Sequence, residues 1–273
     1  MLVSRFSRAT RTGSDTPLSD DQIRQVAPSI FADAAHGSRS ERYTYIPTID
    51  VLNGLRREGF QPFFAAQTQV RKEDKREHTK HMLRLRHADQ ITSGEANEIV
   101  LLNSHDGTSS YQMIAGMFRF VCCNGMVAGE IHNDVRVRHN GDVIGEVIDG
   151  AFKVLDSFEA IEGQRDGMRS LTLNDGEQAA FARAALTLKY DEDTAPAPVT
   201  EAQILRPRRA ADLSDDMWTT LNRVQENLIQ GGLHGRNKSG HRSRTRPVQG
   251  IDQSVKLNRA LWTLAEEMRK LKA

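Results

Sequence analysis

The sequence predicts an α+β fold, with an antiparallel sheet over about residues 60–148 packed against helices and a helical C-terminal part. Three observations predict it. The stretches Phe63–Arg71, His78–Arg86 and Glu98–Ser104 read as strands, bounded by charged or turn residues, with two-residue periodicity clearest over Lys80–Arg86. Asp106–Gly107, Asn124–Gly125 and Asn140–Gly141 are turn pairs at hairpin spacing. After about residue 150 the apolar spacing becomes that of helices.

The elements follow in order. Residues 1–16 are polar and basic and read as a disordered arm. Ser19 and Gln22 have capping-box spacing ahead of a short helix carrying Ile23 and Val26. Gly37–Arg42 reads as a loop. A helix follows Pro47, turns Val51, Leu52 and Leu55 inward and stops at Gly59. Lys72–Glu77 is the charged tip between the first two strands. Thr108–Cys123 holds a fourth strand bent at Gly116, and Val135–His139 with Val143–Val147 reads as a further hairpin.

Helices are predicted over Ala151–Ile161 and Asp175–Leu188, and Asp191–Val199, with Pro196 and Pro198, reads as a linker. Ser214 is read as the cap of a helix with Met217, Leu221, Val224 and Leu228 on one stripe, ended by Gly231–Gly232. A last helix spans about Asp252–Leu271. This divides the chain into a polar arm with a short helix (1–40), an α+β core (41–190) and a helical region with a basic loop packed on the core (200–273). No internal repeat is visible.

Composition bounds the function classes. The chain has 273 residues, 38% hydrophobic and 27% charged, with a formal net charge of +1, so whole-molecule charge selects no partner. No apolar run approaches the roughly 18–20 residues of a bilayer span, and the basic N-terminus lacks an apolar signal core; a cytoplasmic protein is expected. Cys122 and Cys123 are adjacent and point apart on a strand, which disfavours a disulfide and fits a reducing compartment.

Several long motifs carry a resemblance. They are Asn103-Ser104-His105-Asp106-Gly107-Thr108-Ser109, Gly116-Met117-Phe118-Arg119-Phe120-Val121-Cys122-Cys123-Asn124-Gly125 and His81-Met82-Leu83-Arg84-Leu85-Arg86. Downstream lie Trp218-Thr219-Thr220-Leu221-Asn222-Arg223-Val224-Gln225-Glu226-Asn227, Gly231-Gly232-Leu233 and Lys256-Leu257-Asn258-Arg259-Ala260-Leu261-Trp262. Over roughly residues 41–273 the chain resembles a phage/plasmid-like family of unknown function. The resemblance implies a mobile-element gene and supplies no catalytic residue. The order helix, strands, helix also loosely resembles annealing proteins of recombination, which form rings and bind single-stranded DNA; that likeness is one of fold alone.

Charge is locally bunched. Arg71, Lys72, Lys75, Arg76, Lys80, Arg84 and Arg86 crowd one hairpin, and Lys80, Met82, Arg84 and Arg86 share a strand face. One face packed on helices and one cationic face on a polyanion is the expected arrangement, with a solvated strand as the plain alternative. Between Gly231 and Gly250 lie Arg236, Lys238, Arg242, Arg244 and Arg246 with His234 and His241 and no acid, which reads as a mobile phosphate clamp or a surface loop. Nucleic acid, single-stranded DNA first, is therefore the expected partner, with phosphate neutralisation by these cations and stacking by Phe63 or Tyr111 where either faces the groove. A homo-oligomer follows from the annealing analogy.

Two other classes stay open. One is an interaction protein that antagonises a host defence factor. The other is a hydrolase or nuclease using His105 and Asp106, with Glu98 and Asp134 available as carboxylates, although Asp-Gly is already explained as turn chemistry. His78, His81 and the vicinal cysteines diverge on strands, so no metal site is expected. No phosphate-loop or dinucleotide motif is present, and no cofactor is expected. Trp218 and Trp262 read as core residues, and Asn222, Arg223, Gln225 and Asn227 as a solvated helix face.

Overall fold

The computed structural model describes residues 9–38, 45–70, 73–87, 89, 94–120, 124–128, 135–137 and 143–272. Arg71, Cys122, Cys123 and Asp134 lie outside them. The chain divides into two compact units, Met1–Phe158 with Gln249–Ile251, and Glu159–Val248 with Asp252–Ala273.

The first unit is an antiparallel sheet backed by helices. Its strands are β1 (Ala9–Gly13), β2 (Phe60–Thr68), β3 (His81–His87), β4 (Glu95–Asn103), β5 (Tyr111–Arg119), β6 (Asn124–Val127) and β7 (Val135–Val137). They run in spatial order β1-β2-β3-β4-β5-β6, with β7 also beside β5. Residues 9–13, expected in a disordered arm, instead form the edge strand, because their backbone pairs along β2 from Ala9↔Thr68 to Gly13↔Phe64. Asn124–Gly125, expected as a turn, lies within β6 opposite Arg119 and Phe118. Phe63 is the extra residue of a bulge between Pro62 and Phe64, a place where the missing proline N–H breaks no ladder.

Capping residues start and stop the helices as their chemistry demands. Ser19 and Gln22 form a reciprocal capping box on α1 (Asp20–Val26). In α2 (Thr48–Arg57), Val51, Leu52 and Leu55 are fully buried, each worth about 1.5–3 kcal/mol of burial. Gly59 then turns the chain with φ of 90°. Residues Val143–Val147 are not a strand: they open α3 (Val143–Asp156). Ile144 and Ile148, one turn apart, close over Gly54 of α2, where an added Cβ would lie 3.1 Å from the Ile148 side chain.

The second unit contains α4 (Phe158–Arg169), α5 (Asp175–Lys189), α6 (Glu201–Ile204), α7 (Met217–Gln230) and α8 (Ile251–Lys272), with a hairpin of β8 (His234–Arg236) and β9 (Arg242–Arg244) between the last two. Asp216, not Ser214, caps α7, its carboxylate accepting from the Thr219 N–H at 2.8 Å. Every residue from Met217 to Leu228 is buried, so the expected solvated face is absent. Its polar side chains find partners instead. Gln225 donates to Asn258 at 2.7 Å, Glu226 pairs with Arg209, and Asn227 donates to the Ile204 carbonyl at 2.8 Å. Trp218 and Trp262 are buried edge to face, 6.0 Å apart.

Candidate nucleic-acid interface and the buried polar networks

The sheet cations are where alternation predicts, on one face with Glu98, Val100 and Leu102 of β4, but that face is not open to solvent. Arg84 is 7% and Arg86 2% exposed. The guanidinium of Arg84 lies 2.9 Å from Glu98, and Nε of Arg86 donates to the same carboxylate at 2.8 Å. Arg84 also donates to the Met126 carbonyl at 3.0 Å, reaching from β3 to β6 across two intervening strands, which requires the sheet to curl. Gly125 leaves the room: a Cβ there would coincide with the Arg84 guanidinium.

The Arg86 guanidinium rests 4.3 Å from the Phe63 ring centre and 4.1 Å from that of Phe118. Burial pushes the Arg84 guanidinium below its ordinary range, Glu98 opposes that, and Arg86 adds to it. The expectation that Arg84 and Arg86 form an open phosphate platform is therefore corrected: both are buried, both are paired with Glu98, and Arg86 also lies against aromatic rings. Lys80, just before β3, is half-buried.

The turn after β4 directs its histidine inward. His105 and Tyr111 are fully buried. Nε2 of His105 lies 3.3 Å from Thr48 Oγ1, which also meets His81 Nε2 at 2.9 Å, the Tyr111 hydroxyl at 3.3 Å and the Asn103 amide at 3.0 Å. His81 is completed by Ser29 Oγ at 2.8 Å from Nδ1. Burial pulls the His81 pKa down to about 4, with a hydrogen bond to the Thr79 carbonyl opposing the shift.

Asp106 faces the other way. It accepts from the N–H of Thr108 at 3.0 Å and from its hydroxyl at 2.6 Å, the geometry of an Asx turn. Burial raises its pKa, but the Thr108 and Ser104 hydrogen bonds and nearby Lys75 outweigh this and hold it low. His105 and Asp106 thus do not combine as an acid–base pair open to a substrate. Stacking roles fall away as well, since Tyr111 donates to the Ile46 carbonyl at 3.0 Å and Phe63 is spent on Arg86. Among the described residues no group of three or more His, Cys, Asp or Glu side chains is placed to hold a metal ion.

The second basic segment is different. It is an ordered hairpin rather than a mobile loop, with His234↔Arg244, Gly235↔Ser243 and Arg236↔Arg242 as cross-strand pairs. Paired residues share a face, so His234, Arg236, Arg242 and Arg244 project together. Arg236, Lys238, Arg242, Arg244 and Arg246 are all exposed, and no carboxylate among the described residues pairs with any of the five. Three are partly held: Nη1 of Arg236 donates to the Gly240 carbonyl at 2.8 Å, Nε of Arg244 to the Gly232 carbonyl at 3.0 Å, and Lys238 to the Asp193 carbonyl at 2.7 Å.

The outer edge of β8 and the opposite face at Gly235 are seated on neighbouring backbone. The Arg236 N–H donates to the Pro198 carbonyl at 2.9 Å, and Gln203 donates to the His234 carbonyl at 2.7 Å. A Cβ on Gly235 would fall 1.8 Å from the Pro198 oxygen. Gly235→Ala is therefore expected to lift the hairpin off this seat at a cost of about 1–3 kcal/mol, because backbone cannot rotate away. Urea denaturation together with protease cleavage within 236–242 checks this; an unchanged midpoint and cleavage rate would contradict it. The base of the hairpin is held by Lys189, whose ammonium donates to the Leu228 and Arg246 carbonyls at 2.6 and 3.0 Å and whose pKa burial lowers to about 8.

Sequence reasoning found both basic segments but missed Ser29 and Thr48 as partners of the histidines, and Pro198 as the hairpin's seat. Thr48 at a helix start and Pro198 in a proline-rich stretch read as local signals, and nothing local ties them to residues 33 or 37 positions away.

The described residues define an α+β protein with one unit built on a sheet with buried charge and a second, helical unit that displays a cationic β-ribbon. The chain belongs to the family described as a domain of unknown function (DUF932), which matches residues 35–262. It is similar to two proteins of Escherichia coli (strain K12). UPF0380 protein YfjQ is 59% identical over 267 residues, covering 98% of this chain and 97% of that protein. UPF0380 protein YafZ is 58% identical over 267 residues, with the same coverage of each. No solved structure matches the chain. Among the described residues no helix is long and apolar enough to cross a membrane.

Proposed function

We infer that this protein binds nucleic acid through the β8–β9 hairpin, as a cytoplasmic protein serving a mobile element. One observation carries the reading: four exposed cations on an ordered ribbon and a fifth, Arg246, just beyond it, with no described carboxylate to pair with them. Arg236 and Arg242 stand directly opposite each other, an arrangement that costs stability by like-charge repulsion unless an anion sits between them. The polyanionic field of a nucleic acid relieves that repulsion, and guanidinium forks match its phosphate and base acceptors bidentately.

The sheet arginines have no part in the reading, since Glu98 and the aromatic rings occupy them. Annealing and assembly into a homo-oligomer remain attached to it as proposals, the first tested by strand-pairing kinetics and the second by sedimentation.

The direct test is fluorescence anisotropy of labelled oligonucleotides across a salt series, with wild type beside Arg242→Ala/Arg244→Ala. Both side chains are exposed, so the variant is expected to fold. The expected result is salt-dependent binding by wild type and an affinity at low salt at least about tenfold weaker for the variant. Binding by the variant equal to wild type would place the interface elsewhere.

A further inference from the structure

We propose that the β8–β9 hairpin is a two-stranded ribbon that enters the major groove of duplex DNA and reads guanine edges with Arg236, Arg242 and Arg244. This rests on the nucleic-acid reading above and names its substrate.

The shape of the hairpin selects the groove. One face is seated on Pro198 through Gly235, and the other carries His234, Arg236, Arg242 and Arg244 outward. A two-stranded ribbon with one seated face and one armed face fits the roughly 12 Å major groove of B-DNA, whereas the minor groove, about 6 Å wide, is too narrow for it. The major groove of an RNA duplex is too deep and narrow for side chains to read, so the partner is DNA.

The chemistry selects the bases and the strandedness. Between Gly231 and Gly250 there is no Phe, Tyr or Trp, so the hairpin offers no aromatic platform of the kind on which single-stranded bases stack. It offers arginine forks, whose most common specific contact is the O6/N7 edge of guanine. The ribbon is also fixed before binding. Besides the Pro198 and Gln203 contacts, Leu233 and Thr245 close its base, the Leu233 N–H donating to Thr245 Oγ1 at 2.9 Å and the Thr245 N–H to the Leu233 carbonyl at 2.8 Å. A pre-set face loses less entropy on docking than a free loop. Lys238 and Arg246, at the tip and just beyond the hairpin, are placed to meet flanking phosphates.

The test uses the full chain and a pool of random-sequence DNA duplexes, enriched by rounds of binding. The enriched duplex is then compared by anisotropy with its separated strands and with the same duplex carrying 7-deazaguanine, which lacks the N7 acceptor. Enrichment of guanine-containing sites, duplex binding at least about tenfold tighter than single strand, and a loss of about tenfold or more on 7-deaza substitution support the proposal. Preference for the single strand, a pool that does not enrich, or indifference to 7-deazaguanine overturns it while leaving nucleic-acid binding intact. No binding at low salt to any DNA probe or to an RNA oligonucleotide overturns both.

Discussion

Glu98→Ala is expected to destabilise the protein by about 3–5 kcal/mol, the cost of leaving buried cations without their counter-charge. Glu98 is fully buried, and two guanidinium groups converge on it at 2.9 and 2.8 Å. Removing it strands Arg84 and Arg86 inside the sheet, where the rings of Phe63 and Phe118 offset only part of one charge. Deleting the whole set tests the cause. The triple variant Arg84→Met/Arg86→Met/Glu98→Leu is expected to recover most of the loss, because no charge is then buried. Urea denaturation measures both. A single variant within about 1 kcal/mol of wild type would contradict the burial of this network.

The second large effect is on acid stability. The His81 ring stays neutral in the native protein down to about pH 4, whereas an unfolded histidine takes up a proton near 6.5. A base whose folded pKa is depressed contributes stability that is present above the unfolded pKa and is lost as pH falls from about 6.5 towards 4. The slope is up to about 1.4 kcal/mol per pH unit, for about 3 kcal/mol in all. His81→Gln keeps hydrogen-bonding capacity towards Ser29 and Thr48 but cannot titrate. Urea midpoints at pH 7.5, 6 and 5 are expected to fall less steeply for the variant than for wild type. Parallel pH profiles would show that His81 is not the group responsible.

Much of this architecture is legible in the sequence, and the failures have physical causes. Caps and stops such as Ser19 with Gln22, Gly59 and Gly231 are local devices, so they read correctly. Residues 143–147 misread because β-branched residues favour strands, while Ile144 and Ile148 sit four apart, the spacing that packs α3 on α2. The strand face of Arg84 and Arg86 is also visible in alternation. Their counter-charge is not, since it arrives from the next strand in a register that only the folded sheet sets. A buried ion pair and a surface for polyanions look alike when one strand is read alone.

The hairpin has the converse history. Its charge is plain in the sequence, but glycines and serines suggest mobility, and only the seat of Gly235 on Pro198 shows why a glycine is needed there. The His105–Asp106 turn illustrates a third case. Adjacent residues point in opposite directions, so a pair that is suggestive on paper is divided between a buried network and a surface turn.

The central claim is that the exposed hairpin, and not the sheet, carries nucleic-acid binding. Its most direct test is the affinity for one labelled DNA duplex at low salt of three proteins: wild type, Arg236→Glu/Arg242→Glu/Arg244→Glu, and the triple sheet variant. Circular dichroism would first establish that each is folded. The expected result is binding abolished by the hairpin reversal and retained within about threefold by the sheet variant, because the hairpin's cations are exposed whereas Arg84 and Arg86 are buried. Equal binding by wild type and the hairpin reversal, or loss of binding confined to the folded sheet variant, would contradict it.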